Sequence, residues 1–126
     1  MKAIIKTEDA PAPIGPYSQA VRAGSMLFVS GQIAIHPPSG EIKTGSIEEE
    51  TQQVMKNIGA ILAAAGSEFG QIIKTSIFLK DMNDFTKVNE VYGSYFSSNF
   101  PARETVQVSA LPKNVNVEIS VTAWIP

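Results

Sequence analysis

The chain has 126 residues, 44% of them hydrophobic and 17% charged, with a mean hydropathy of +0.04; this describes one folded domain, residues 1–126, and excludes a highly charged disordered segment. A net charge of −2 with scattered lysines and arginines gives no basic field for a nucleic-acid backbone. Cysteine is absent, which removes thiol nucleophiles, thiolate metal sites and disulfides and fits a reducing compartment.

At the N-terminus, Lys2, Lys6, Glu8 and Asp9 interrupt any signal-peptide core, so a cytoplasmic chain is expected. No apolar run approaches the roughly 20 residues that span a bilayer, so no membrane segment is expected. Residues 3–5 read as a short strand, followed by an ordered loop in which Pro11, Pro13 and Pro16 forbid continuous pairing. Residues 19–22 and 26–30 read as two strands joined by a tight turn at Gly24-Ser25. His36-Pro37-Pro38-Ser39-Gly40 is dense in turn formers and predicts a surface loop reaching Gly45.

Ser46 is a candidate helix cap, and Glu48, Glu49 and Glu50 stand where a helix N-terminus favours negative charge. Ile47, Val54, Ile58, Ile61, Leu62 and Ala65 keep helical spacing, and Gly66 is a plausible terminator. Residues 72–79 are rich in β-branched side chains and predict a buried strand. A second helix is expected from about Asp84, with Phe85, Val88, Val91, Tyr92, Tyr95 and Phe96 on one face, stopping before Pro101. Two strands close the chain, residues 105–111 and 116–125; in the latter Val117, Ile119, Val121, Ala123 and Ile125 alternate with Glu118, Ser120, Thr122 and Trp124. The order β-β-β-α-β-α-β-β implies an α+β fold, a mixed sheet covered on one face by two helices. Tyr17, Phe28, Phe78 and Trp124 near the other face predict that a second copy of the chain covers it; a solvated face is the alternative.

Few residues offer catalytic chemistry. His36, the only histidine, lacks metal-ligand neighbours, and GxSxG, P-loop and GxGxxG motifs are absent. The three consecutive glutamates suit a helix dipole better than a metal. Arg103, after Phe100-Pro101-Ala102, sits at the start of a predicted strand, where its fork could take a carboxylate; chemistry alone favours a surface or intersubunit salt bridge over that role. Glu118 is the one acid in the last strand, either functional or a solvent-facing carboxylate. Tyr17, Ser30, Gly31, Asn89 and Thr105 each have turn, cap or packing explanations.

Ile14-Gly15-Pro16-Tyr17-Ser18-Gln19-Ala20, Ser30-Gly31-Gln32-Ile33, Lys74-Thr75, the run from Lys80 to Phe85, Val88-Asn89, Phe100-Pro101-Ala102-Arg103, Leu111-Pro112-Lys113 and Val117-Glu118-Ile119 occur in this order. Over essentially its whole length the chain resembles the RidA (YjgF) family. The resemblance implies a chorismate-mutase-like fold, a homotrimer with active sites between subunits, and hydrolysis of 2-imino acids such as 2-iminobutanoate and 2-iminopropanoate to 2-keto acids and ammonia. It implies no cofactor and no metal. It puts Arg103 on the substrate carboxylate and makes Glu118 the base for the attacking water. Tyr17, Ser30, Gly31 and Asn89 would line the cleft, and the Thr105 backbone would hold the water. Two alternatives stand beside it: a nuclease or translation inhibitor, an activity also attributed to relatives, and a ligand-binding or regulatory trimer that takes 2-keto acids in the same cleft without turnover. Glu104, next to Arg103, departs from the small residue usual in the family, and strand alternation should send it to the opposite face. A simple hairpin of the last two strands would separate Arg103 from Glu118 by about 20 Å. The strands are therefore expected not to be neighbours, or the two side chains to meet across a subunit boundary.

Overall fold

The computed structural model describes residues 1–126. Its strands are β1 (Lys2–Ile5), β2 (Ala20–Ala23), β3 (Met26–Gln32), β4 (Ile72–Leu79), β5 (Ala102–Gln107) and β6 (Val117–Trp124), and its helices are α1 (Ile47–Ala64) and α2 (Phe85–Gly93). The six strands form one mixed sheet in the order β1-β2-β3-β6-β4-β5, and both helices cover the same face. The α+β layers expected from the sequence are present. No helix is long and apolar enough to cross a membrane.

Local chemistry explains the elements. The Ser46 side chain accepts the Glu49 N–H at 3.1 Å and caps α1. Gly66, at φ +77°, supplies the left-handed residue that ends the helix. On α1, Val54, Met55, Ile58, Ile61 and Leu62 are fully buried against Leu27, Ile77, Leu79, Val117, Ile119 and Ala123 of the sheet. Each large side chain removed from water here contributes about 1.5–3 kcal/mol.

Three expectations need correction. α2 ends at Gly93, and Tyr95 and Phe96 follow it in short turns whose N–H groups bond Tyr92 and Gly93 carbonyls. β5 runs from Ala102 to Gln107 instead of 105–111, because its only partner, β4, ends at Leu79 opposite Gln107. Arg103 is the second residue of this strand, at its entrance as expected. Finally, Glu50 does not serve the helix dipole from the surface. It is fully buried, and its carboxylate accepts Asn116 N–H at 2.8 Å, Asn116 Nδ2 at 2.7 Å and Val117 N–H at 3.2 Å, fastening α1 to the start of β6. Glu50→Ala leaves these donors unpaired and should lower stability by about 3 kcal/mol or more, read from urea unfolding; Glu50→Gln, which keeps one acceptor, should lose less.

The topology also settles the strand question raised by the sequence. β4 and β5 are parallel, with α2 as the crossover, whereas every other pair is antiparallel. β6 lies between β3 and β4, so β5 and β6 are not neighbours.

Candidate functional site

Two clefts hold the polar residues singled out in the sequence, and they lie on opposite faces of the sheet. The first, of about 620 Å³, is lined by Pro11, Ile14, Tyr17, Ser30, Gly31, Ile33, Lys113 and Glu118, among others. A β-bulge builds its floor: Val29 pairs with Val121 and Gln32 with Ile119, so Ser30 and Gly31 oppose the single residue Ser120. Ser30 is tied down by its N–H to the Gln19 carbonyl at 2.9 Å and its hydroxyl to the Ser18 carbonyl at 2.6 Å. The buried Gln19 amide fixes the wall, accepting Thr7 N–H and donating to the carbonyls of Thr7, Ala10 and Pro11. Tyr17 is half-exposed, and its hydroxyl accepts the Ile14 N–H at 3.2 Å.

Glu118 alternates with the buried Val117 and Ile119 and therefore points away from the helices into this cleft. Gly31 makes room for it. A Cβ on Gly31 would stand 2.7 Å from Glu118 Oε2 and 2.9 Å from Cδ, so any other residue here displaces the carboxylate. Burial pushes the Glu118 carboxyl above its ordinary value of 4.5. The rim is formed by Pro112 and Lys113, the latter in left-handed backbone at φ 54°.

The second cleft, of about 480 Å³, is lined by Asn89, Tyr92, Gly93, Phe100, Pro101 and Arg103. Arg103 pairs with Thr75 in the parallel ladder, and like Thr75 it faces the helices. Its Nη1 donates to Asn89 Oδ1 at 2.6 Å, and its Cζ lies 5.7 Å from the Phe85 ring centroid and 5.2 Å from that of Tyr92. Neither of the two ion pairs, Lys43–Glu41 and Lys74–Glu104, involves it. A guanidinium held by rings and an amide, with no carboxylate attached, keeps its charge available for an anion. On the same face of β5, Thr105 Oγ1 is buried without a hydrogen-bond partner.

Alternation sends Glu104 to the opposite face from Arg103, as expected. There it accepts the Ser76 hydroxyl and pairs with Lys74 Nζ at 3.0 Å. Those contacts, Ser76 first, hold its carboxyl below the usual range. Glu104 therefore does not crowd Arg103.

Within one chain the structure thus joins Tyr17, Ser30, Gly31 and Glu118 in one cleft and Asn89 with Arg103 in another. Glu118 is in register with Phe78, and Arg103 with Thr75, on either side of β4. That offset puts the two backbones about 14 Å apart, with side chains on opposite faces. Sequence reading missed Phe85 and Tyr92 beside Arg103, because helical spacing marks them only as core, and Gln19, whose burial no pattern announced.

The family model described as Endoribonuclease L-PSP matches residues 7–125. The chain belongs to this family, the RidA (YjgF) family. Within the RidA family the chain is 56% identical to a RutC family protein of Pyrococcus horikoshii over 98% of each chain. It is 49% identical to the human protein named 2-iminobutanoate/2-iminopropanoate deaminase, covering 98% of this chain and 90% of that one. Among solved structures it matches E. coli TdcF with bound serine at a TM-score of 0.94 and 43% identity, over 98% of this chain and 99% of that one.

Proposed function

We propose that the chain hydrolyses 2-imino acids, 2-iminobutanoate and 2-iminopropanoate among them, to 2-keto acids and ammonia, at clefts completed between copies of the chain. The observation that carries this reading is the separation of an uncompensated Arg103 and a half-buried Glu118 onto opposite faces of one sheet. One cleft supplies an anion clamp and the other a carboxylate base. Neither alone suffices for an imino acid. Joining the Arg103 cleft of one copy to the Glu118 cleft of the next is a head-to-tail contact, which closes into a ring, and the family resemblance implies a ring of three. Phe28, Val106 and Trp124, each more than two-fifths exposed on the open face, would be covered by that contact.

In this reading Arg103 takes the substrate carboxylate in a bidentate pair, and Asn89 holds the guanidinium from behind. Tyr17, Ser30 and the apolar wall position the rest of the molecule. Glu118 accepts a proton as water oxygen bonds to the imine carbon and the C=N π pair moves to nitrogen. The same proton, returned to nitrogen, gives the neutral carbinolamine; Glu118 then takes the carbinolamine hydroxyl proton and passes it to nitrogen, so that the C–N bond breaks with release of ammonia as the C=O forms. Thr105 lies beside Arg103, where its backbone would hold the water. Each step is an addition, proton transfer or elimination, so water balances the reaction and no cofactor is called for. The deaminase names among relatives support the same chemistry.

Gly31→Ala tests the approach of Gly31 to Glu118. The atoms nearest the added Cβ are Oε2, Cδ and Cγ of the Glu118 side chain and not backbone, so the fold should persist while kcat falls by about 10²-fold through misplacement of the base. Circular dichroism and steady-state kinetics on the same sample check both halves.

The description of the matching family model favours a second reading, RNA cleavage. The net charge of −2, and a single histidine that bonds Ser39 and lines neither cleft, argue against it. The deciding experiment couples a serine or threonine dehydratase to the protein and follows loss of the imine. Acceleration proportional to protein concentration is expected. No acceleration, with 2-keto acid still bound, would leave a binding protein instead; cleavage of an RNA substrate would favour the nuclease.

A further inference from the structure

We infer that Phe85, Tyr92 and Thr75 are positioning residues that hold Arg103 in a fixed pose for carboxylates, an inference that deepens the deaminase reading and rests on it. Phe85, Asn89 and Tyr92 follow one another at spacings of four and three on α2, so all three present one helix face. Arg103 lies against that face, touching each of them: 5.7 Å from the Phe85 ring centroid, 2.6 Å from Asn89 Oδ1 and 5.2 Å from the Tyr92 ring centroid. Tyr92 is itself anchored. Its buried hydroxyl donates to Thr75 Oγ1 at 2.9 Å, and Thr75 is the β4 residue paired with Arg103 in the ladder. A hydroxyl on β4 thus fixes a ring on α2, and the ring orients a guanidinium on β5.

The choice of rings matters. A carboxylate in this position would orient Arg103 but would also neutralise it, and a substrate carboxylate would have to displace its own kind. Aromatic faces hold the cation while leaving N–H donors unsatisfied for an incoming anion. Because its hydroxyl is committed to Thr75, Tyr92 acts through Arg103 and not on the substrate. This gives Thr75 and Phe85, both within the family motifs, a role beyond packing.

The test is calorimetric binding of 2-oxobutanoate, with steady-state kinetics alongside. Tyr92→Leu and Phe85→Leu should each raise the Kd by about 2- to 30-fold, the range of a lost cation–π contact, and raise KM in proportion with a smaller change in kcat. Thr75→Val, close in shape and lacking the hydroxyl, should shift Kd in the same direction by less, which keeps the test available if a leucine variant fails to fold. In an Arg103→Ala background, Tyr92→Leu should cause no further loss of the residual kcat/KM; a purely structural role would add its full effect there. In the free protein, the Arg103 Nε–H resonance should be displaced by ring currents and return towards that of free arginine in Tyr92→Leu. Folded ring variants with unchanged Kd, or an additive loss in the Arg103→Ala background, would overturn the inference alone. A wild-type chain that binds no 2-oxobutanoate would overturn the deaminase reading beneath it.

Discussion

Glu118→Gln should lower kcat for imine hydrolysis by about 10²–10⁴-fold, the usual contribution of a positioned general base, while leaving 2-oxobutanoate affinity nearly unchanged. The substitution keeps the side chain's shape beside Gly31 and removes only its capacity to take a proton. Burial raises the Glu118 carboxyl, so in the wild type the acid limb of the rate profile should fall above 4.5, and the variant should lack that limb. The same shift has a consequence for stability. A carboxyl whose folded pKa is raised favours folding below its unfolded pKa, and that contribution is lost as pH rises through the folded value. Glu118→Gln should therefore be at least as stable as wild type at neutral pH, with the difference closing in acid. Urea unfolding at both pH values reads it. A variant that unfolds more easily than wild type at neutral pH would show that the carboxylate supports the fold instead of straining it.

Arg103→Ala should reduce kcat/KM by about 10²–10³-fold, consistent with the roughly 2–5 kcal/mol carried by a buried charged anchor. Loss of 2-oxobutanoate binding should accompany it. Arg103→Lys should recover only part of either, because an ammonium keeps the charge and loses both the fork and its stacking on Phe85 and Tyr92. Stability should change little, since Arg103 has no ion pair and donates one hydrogen bond, to Asn89. A large fall in stability with unchanged 2-oxobutanoate affinity would mark Arg103 as a packing residue.

The elements were legible where local chemistry decides them. Ser46 and Gly66 bracket α1 in sequence as they do in space, and the alternation of β6 announces which face carries Glu118. The β5 boundary was not legible, because it depends on where β4 runs out, and strand pairing is a tertiary fact. Glu50 was misread for the same reason: only the fold brings Asn116 and Val117 to a first-turn glutamate. The candidate residues themselves came from ordered family motifs. What those motifs could not show is the parallel β4–β5 pairing, which turns Arg103 towards α2 while Glu118 faces away, and the aromatic face of α2 waiting there.

That opposition makes a direct test available. Arg103→Ala and Glu118→Gln chains, each nearly inactive alone, can be co-expressed in equal amounts and assemblies of every composition purified together. If each site takes Arg103 from one copy and Glu118 from its neighbour, random mixing leaves about one quarter of the sites with both groups, and about one quarter of wild-type imine hydrolysis should return. Activity no greater than that of the two variants assayed separately would place the whole site within a single chain and contradict the account.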